Sequence, residues 1–111
     1  MNPIASGSLV MPDHDVFDAE IRAALLQHGD DGTVPRHTLF YFYGGDFTAL
    51  GNAAAQAGYR TRPTAKSDGV ILETETAVDA ASFARHAAQM KKWTDEFGCE
   101  YDSWECQLVK P

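Results

Sequence analysis

Along this chain the spacing of apolar positions switches between a period of two and a period near 3.6. Across Val34–Tyr43 it is two: Phe40 and Phe42 fall on one side, Tyr41 and Tyr43 on the other. A strand with that spacing has a purely apolar face and an amphipathic one. Val70–Thr76 repeats the pattern, with Val70, Leu72 and Thr74 on one face and Ile71, Glu73 and Glu75 on the other. The glutamates mark that second face as solvated. Cys99–Val109 reads as a strand with Trp104, Cys106 and Leu108 on one side. Tyr59–Thr64 reads as a shorter strand that Pro63 confines to a sheet edge, because proline cannot donate to the ladder.

Helical spacing fills the intervals. Pro12-Asp13 is a start signal, and Phe17, Ile21, Ala24, Leu25 and His28 follow at helical intervals until Gly29-Asp30-Asp31-Gly32. Asp46 is suited to cap a helix striped by Phe47, Leu50, Ala54 and Ala57 and closed by Gly58. Asp79 is suited to cap a longer one, striped by Ala80, Phe83, Ala87, Met90, Thr94 and Phe97 and closed by Gly98. Lys66-Ser67-Asp68-Gly69 carries hairpin-turn chemistry.

After a leading helix the expected order is β-α-β-β-α-β. This predicts an α+β, ferredoxin-like fold: an antiparallel four-stranded sheet, two helices on one face, and an additional N-terminal helix. Right-handed crossovers put the first and third strands at the centre. Phe40, Phe42, Val70 and Leu72 then face Leu50, Ala54, Phe83, Ala87 and Met90. The opposite face, with Tyr41, Tyr43 and Ile71, needs a cover: the N-terminal helix, a second copy, or another protein. Residues 1–11 read as a tail, and residues 12–111 as a single domain.

Composition narrows the partners. The chain has 111 residues, 9 basic against 16 acidic, for a net charge of −7. That balance disfavours nucleic acid and anionic membranes, both of which call for basic patches, and suits a basic protein partner. No apolar run approaches the roughly 18 residues of a membrane span. Met1–Met11 lacks the basic cluster of a secretory signal, so a cytoplasmic location is expected. Cys99 and Cys106 are seven positions apart. In an unbroken strand they point to opposite faces, so free thiols are expected.

Candidate chemistry is sparse. Aromatic residues on an open sheet face stack bases in some RNA-binding domains, but Glu73 and Glu75 would neighbour these tyrosines and no basic motif accompanies them. His14, His28, His37 and His86 show no metal-ligand spacing. His37 and Cys99 could meet if the last strand pairs beside the first, yet no third group orients them. Gly44-Gly45 before a helix could hold an anion, although the Asp46 carboxylate competes for the same amides. No cofactor, metal or catalytic residue is expected.

The last strand is more specific. Phe97-Gly98-Cys99-Glu100-Tyr101-Asp102-Ser103-Trp104 closes a helix with glycine and enters a strand through Glu-Tyr-Asp-x-Trp. This resembles the regulator of ribonuclease E activity B family, whose last strand carries Glu-Tyr-Asp-Gly-Trp. The likeness extends over roughly Val34–Leu108, through the Phe-Tyr-Phe-Tyr strand, Gly58-Tyr59 and the alanine-rich last helix. Ser103 stands where the family usually has glycine, and the sequence ends at Pro111 where the type member runs into a long acidic tail. The resemblance implies a small cytoplasmic bacterial protein, not an enzyme, that binds ribonuclease E and modulates RNA processing and decay. Glu100, Tyr101, Asp102 and Trp104, with Tyr41 and Tyr43, are the candidate protein-binding residues. They set aromatic anchors beside carboxylates, which suits an arginine-rich partner. The alternative is a small-ligand or enzymatic site on the open sheet face of a homodimer.

Overall fold

The computed structural model describes residues 14–109, with side chains from Asp18 onward. The order is α1 (His14–Gln27), β1 (Arg36–Tyr43), α2 (Phe47–Gln56), β2 (Arg60–Pro63), β3 (Gly69–Thr76), α3 (Ala80–Phe97) and β4 (Glu100–Cys106). The strands form one antiparallel sheet in the order β2-β3-β1-β4, so β1 and β3 are central, as the crossover argument requires. The fold is α+β. The expected tail and the Pro12-Asp13 start signal lie outside the described residues.

Local chemistry accounts for the boundaries. The Asp46 carboxylate accepts from the Ala49 amide at 3.1 Å, and that of Asp79 from the Ser82 amide at 3.3 Å. Each satisfies a donor that the first helical turn leaves free. Gly98 ends α3 in the left-handed conformation, with φ of 66°. The alternation read in β1 holds along the whole strand: Thr38, Phe40 and Phe42 are fully buried, and the residues between them are half-buried.

The core lies between the sheet and the helices. Phe40, Phe42 and Leu72 are fully buried against Leu50 and Ala54 of α2 and Phe83 and Met90 of α3. The stripe of α3 also includes His86 and Trp93, two buried rings outside the expected 3–4 series. The His86 ring packs against Phe40, Phe83 and Tyr59, and its Nδ1 shares a 2.6 Å hydrogen bond with the Tyr59 hydroxyl. Burial, and then the nearby Arg85 charge, lower the pKa of His86 and so favour neutral imidazole.

The leading helix joins the side of the sheet that α2 and α3 already occupy. Ile21 and Leu25 reach the core, the Arg22 Nε donates to the Val78 carbonyl at 2.7 Å, and its guanidinium lies 5.3 Å from the centre of the Phe83 ring. The Trp104 indole donates to Asp18 at 2.6 Å. This placement removes the N-terminal helix from the possible covers of the tyrosine face.

Beneath α1 lies a buried ion pair. Arg36 and Asp30 are 0% and 1% exposed, and the guanidinium donates to both carboxylate oxygens, at 2.5 and 2.8 Å. Arg36 also donates to the carbonyls of Val34 and Gln107, and Asp30 accepts from the amides of Gly32 and Val109. The hydrogen bond from Arg36 is the main reason the Asp30 carboxyl is held well below its ordinary value. A folded-state value below the unfolded one contributes stability that is complete above the ordinary carboxylate range and is lost as pH falls beneath it. Asp30→Asn, which strands the buried guanidinium, is expected to cost about 3–5 kcal/mol in urea unfolding at pH 7. Between pH 4 and pH 2 the same variant is expected to lose less further stability than the wild type.

Candidate functional site

The face of the sheet turned away from the helices is built in rows by the register. Arg60 (β2), Glu73 (β3), Leu39 (β1) and Glu105 (β4) make one row, and Arg62, Ile71, Tyr41 and Ser103 the next. Gly69, Tyr43 and Glu100 make a third. An apolar stripe of half-buried Leu39, Tyr41 and Tyr43 therefore runs down the centre, beside Ile71, which is buried at 7% exposure. Arginines line the β2 margin and carboxylates the β4 margin. None of the described helices lies on this face.

Part of the charge is neutralised internally. Glu73 lies between two nitrogen groups, with Oε1 at 2.7 Å from His37 Nε2 and Oε2 at 3.0 Å from Arg62 Nε. It is 15% exposed, so it is not the solvated carboxylate that the strand pattern implies. Glu75 is exposed, as expected. The Tyr41 hydroxyl donates to Glu105, which, with burial second, pushes its pKa up to about 12. The phenol is thus held protonated across the physiological range.

A bulge decides what β4 shows to this face. The register against β1 shifts between Tyr41 and Phe42, so Tyr41 pairs with Ser103 and Phe42 with Tyr101, leaving Asp102 as the extra residue. Ser67 is the only described non-glycine residue with positive φ, so Ser103 takes part in the bulge without the left-handed backbone that favours glycine. Side-chain parity reverses across Asp102, and Tyr101 and Trp104 both point to the helices. Tyr101 is 6% exposed and stacks on Phe42, with ring centres 5.0 Å apart; Trp104 is 2% exposed and packs on Phe83 at 4.4 Å. Burial drives the Tyr101 phenol far above its ordinary pKa.

The six candidate binding residues therefore divide. Tyr41, Tyr43 and Glu100 are on the open face, and Asp102 is exposed at the bulge. Tyr101 and Trp104 are corrected from surface anchors to core residues, because the bulge turns both rings inward. The cysteines are corrected in the same way. They are free, but Cys99 is buried and Cys106 packs against the same core cluster, and burial raises both thiol pKa values. His37 and Cys99 do not meet: Thr38 pairs with Cys106 at one end of the β1–β4 ladder and Tyr43 with Glu100 at the other. The Gly44-Gly45 turn delivers Asp46 to its cap, so its carboxylate occupies the first-turn amide.

The sequence reading missed two groups, the Arg62–Glu73–His37 chain and the indole contact of Asp18. Each depends on register or on contacts between distant elements, so no local motif signals it. Among the described residues no cluster of histidine, cysteine and carboxylate has metal-binding geometry, and no helix is long and apolar enough to cross a membrane. A hollow of about 370 Å³ between α1 and β4 is lined mainly by Ile21, Leu25, Trp104 and Leu108, with Cys106 as its thiol. Glu105→Gln is expected to lower the Tyr41 pKa from about 12 towards the ordinary tyrosine value of about 10, as read by ultraviolet tyrosinate absorbance. An unchanged titration would remove Glu105 as the cause.

Comparison with known proteins gives one assignment. No curated protein matches the chain. The family model described as regulator of ribonuclease activity B matches residues 16–106, which takes in every described strand and most of α1. The chain belongs to the regulator of ribonuclease activity B family.

Proposed function

We propose that this chain is a non-catalytic regulatory protein that binds ribonuclease E and modulates RNA processing and decay in the bacterial cytoplasm. It acts through protein contact, with no nucleic acid, membrane or cofactor of its own. The observation that carries this reading is the uncovered tyrosine stripe, bordered by Glu100, Asp102 and Glu105. Contiguous aromatic surface of this kind marks an interaction site. Phenol rings beside carboxylates suit an arginine-rich segment, because the rings stack on guanidinium planes while the carboxylates accept its forked donors.

Glu100 and Asp102 would provide most of the attraction. Glu73 is engaged by Arg62 and His37, and Glu105 by Tyr41, whereas Glu100 has an ordinary exposed position. Tyr101 and Trp104 support binding indirectly, by holding β4 in place from the core side. Rim charges act mainly on association rate and on its dependence on salt.

The test is cleavage of a single-stranded RNA by purified ribonuclease E while the intact protein is titrated in. The wild type is expected to change the cleavage rate. Tyr41→Ala combined with Tyr43→Ala should weaken that effect roughly tenfold or more, with folding verified by thermal melting. Glu100→Lys with Asp102→Lys should weaken it further at low salt than at high salt. Leu108→Ser, at an exposed position beyond β4, should leave it unchanged. An unaltered rate at saturating wild-type protein, with no binding by calorimetry, would overturn the reading.

A further inference from the structure

The outer strands of the open face carry opposite charges, while Glu73 and Glu75 of β3 lie beside the basic margin. Arg60 and Arg62 occupy β2, Glu100 and Glu105 occupy β4, and the apolar stripe runs between them on β1 and β3. Such a face has a geometric property. A two-fold axis parallel to the strands, passing between β1 and β3, lays β2 of one copy over β4 of the other, and β1 over β3. Every basic margin then meets an acidic margin, twice per dimer. A two-fold axis across the strands would instead oppose like margins. We infer that this face docks a second copy of the chain, in the first arrangement.

Row matching supports the arrangement. With the copies level along the strands, Arg60 of one faces Glu105 of the other, and Tyr41 faces Ile71. Tyr43 then lies over Gly69, the one position on the central strands of this face without a side chain. Gly69 is not replaceable in this backbone, since an added Cβ would sit 2.0 Å from the Phe42 carbonyl oxygen. Gly69 therefore offers the Tyr43 of a second copy backbone alone, with no side chain in its way.

The sheet edges offer a poorer route to association. β2 has four residues and ends in Pro63, and β4 carries the bulge at Asp102; both features blunt edge-to-edge pairing. Four strands about 4.8 Å apart and up to eight residues long give a face of roughly 500 Å² per copy. A total near 1,000 Å² is at the lower limit of specific interfaces, so the dimer is expected to be weak and reversible. It covers the same tyrosines as the nuclease reading, but it rests on the charge pattern and not on that reading.

Sedimentation equilibrium of the intact protein, over a wide concentration range at moderate salt, tests the inference without any nuclease. The wild type is expected to show reversible monomer–dimer exchange. Arg60→Glu and Glu105→Arg should each weaken it roughly tenfold, equivalent to about 1.4 kcal/mol over two symmetry-related contacts. Combining both substitutions in one chain should restore dimerisation, as should mixing the two single variants. Within one chain these positions are three strand spacings apart, roughly 14 Å, so rescue reports an intermolecular contact. Tyr43→Ala, with folding checked by circular dichroism, should also weaken the dimer. A wild type that stays monomeric throughout, or charge reversals without effect or without mutual rescue, would overturn the inference.

Discussion

The buried pair between Arg36 and Asp30 holds together parts of the chain that are far apart in sequence. Asp30 lies just after α1, Arg36 opens β1, and their shared hydrogen bonds reach Gln107 and Val109 beyond β4. One guanidinium thus fixes the approach from α1, the start of the central strand and the exit of the outer strand. Burying two charges is costly, and mutual attraction offsets that cost only when the remaining donors and acceptors are also satisfied. Here Val34, Gly32, Gln107 and Val109 supply those partners. The pair is therefore less a source of net stability than a constraint on register: few other alignments of these segments satisfy both charges.

That constraint has its functional expression at the other end of β4. With the exit of β4 tied down, the Asp102 bulge takes up the extra residue and reverses side-chain parity in mid-strand. Tyr101 and Trp104 go to the core, and the indole reaches Asp18 of α1. The carboxylates Glu100 and Glu105 go to the open face. The same short stretch therefore anchors the leading helix with its rings and charges the sheet surface with its acids. Because α1 is committed to the helix side, it cannot cover the tyrosines, and the surface remains available to another protein.

Much of this architecture was legible in the sequence. The alternation of Phe40 and Phe42 with Tyr41 and Tyr43 is enforced by a two-residue repeat, and Asp46, Asp79 and Gly98 act where their chemistry indicates. The illegible parts have a common physical cause. A bulge shifts parity by one residue without needing glycine, so counting along β4 set Cys99 opposite Cys106 and left Tyr101 outside. The buried stripe of α3 is Phe83, His86, Met90 and Trp93, with Ala87, Thr94 and Phe97 only half-buried at its side; an apolar count gives histidine no weight and so centres the stripe on the wrong flank. Asp30 reads as a turn residue, since a side chain bonding six residues ahead leaves no periodic trace. Glu73 reads as solvated because its two partners, His37 and Arg62, come from β1 and β2, which only the register brings beside it.

The central claim is that the odd-numbered side of β1, not the helical side of the domain, is the regulatory surface. Methyl and aromatic cross-saturation by nuclear magnetic resonance, with purified ribonuclease E added to labelled protein, reads this side by side. The account predicts transfer concentrated at Leu39, Tyr41 and Tyr43, with exposed Ala81 and Ala88 of α3 unaffected. Transfer concentrated on those α3 alanines, with the tyrosine stripe silent, would contradict it.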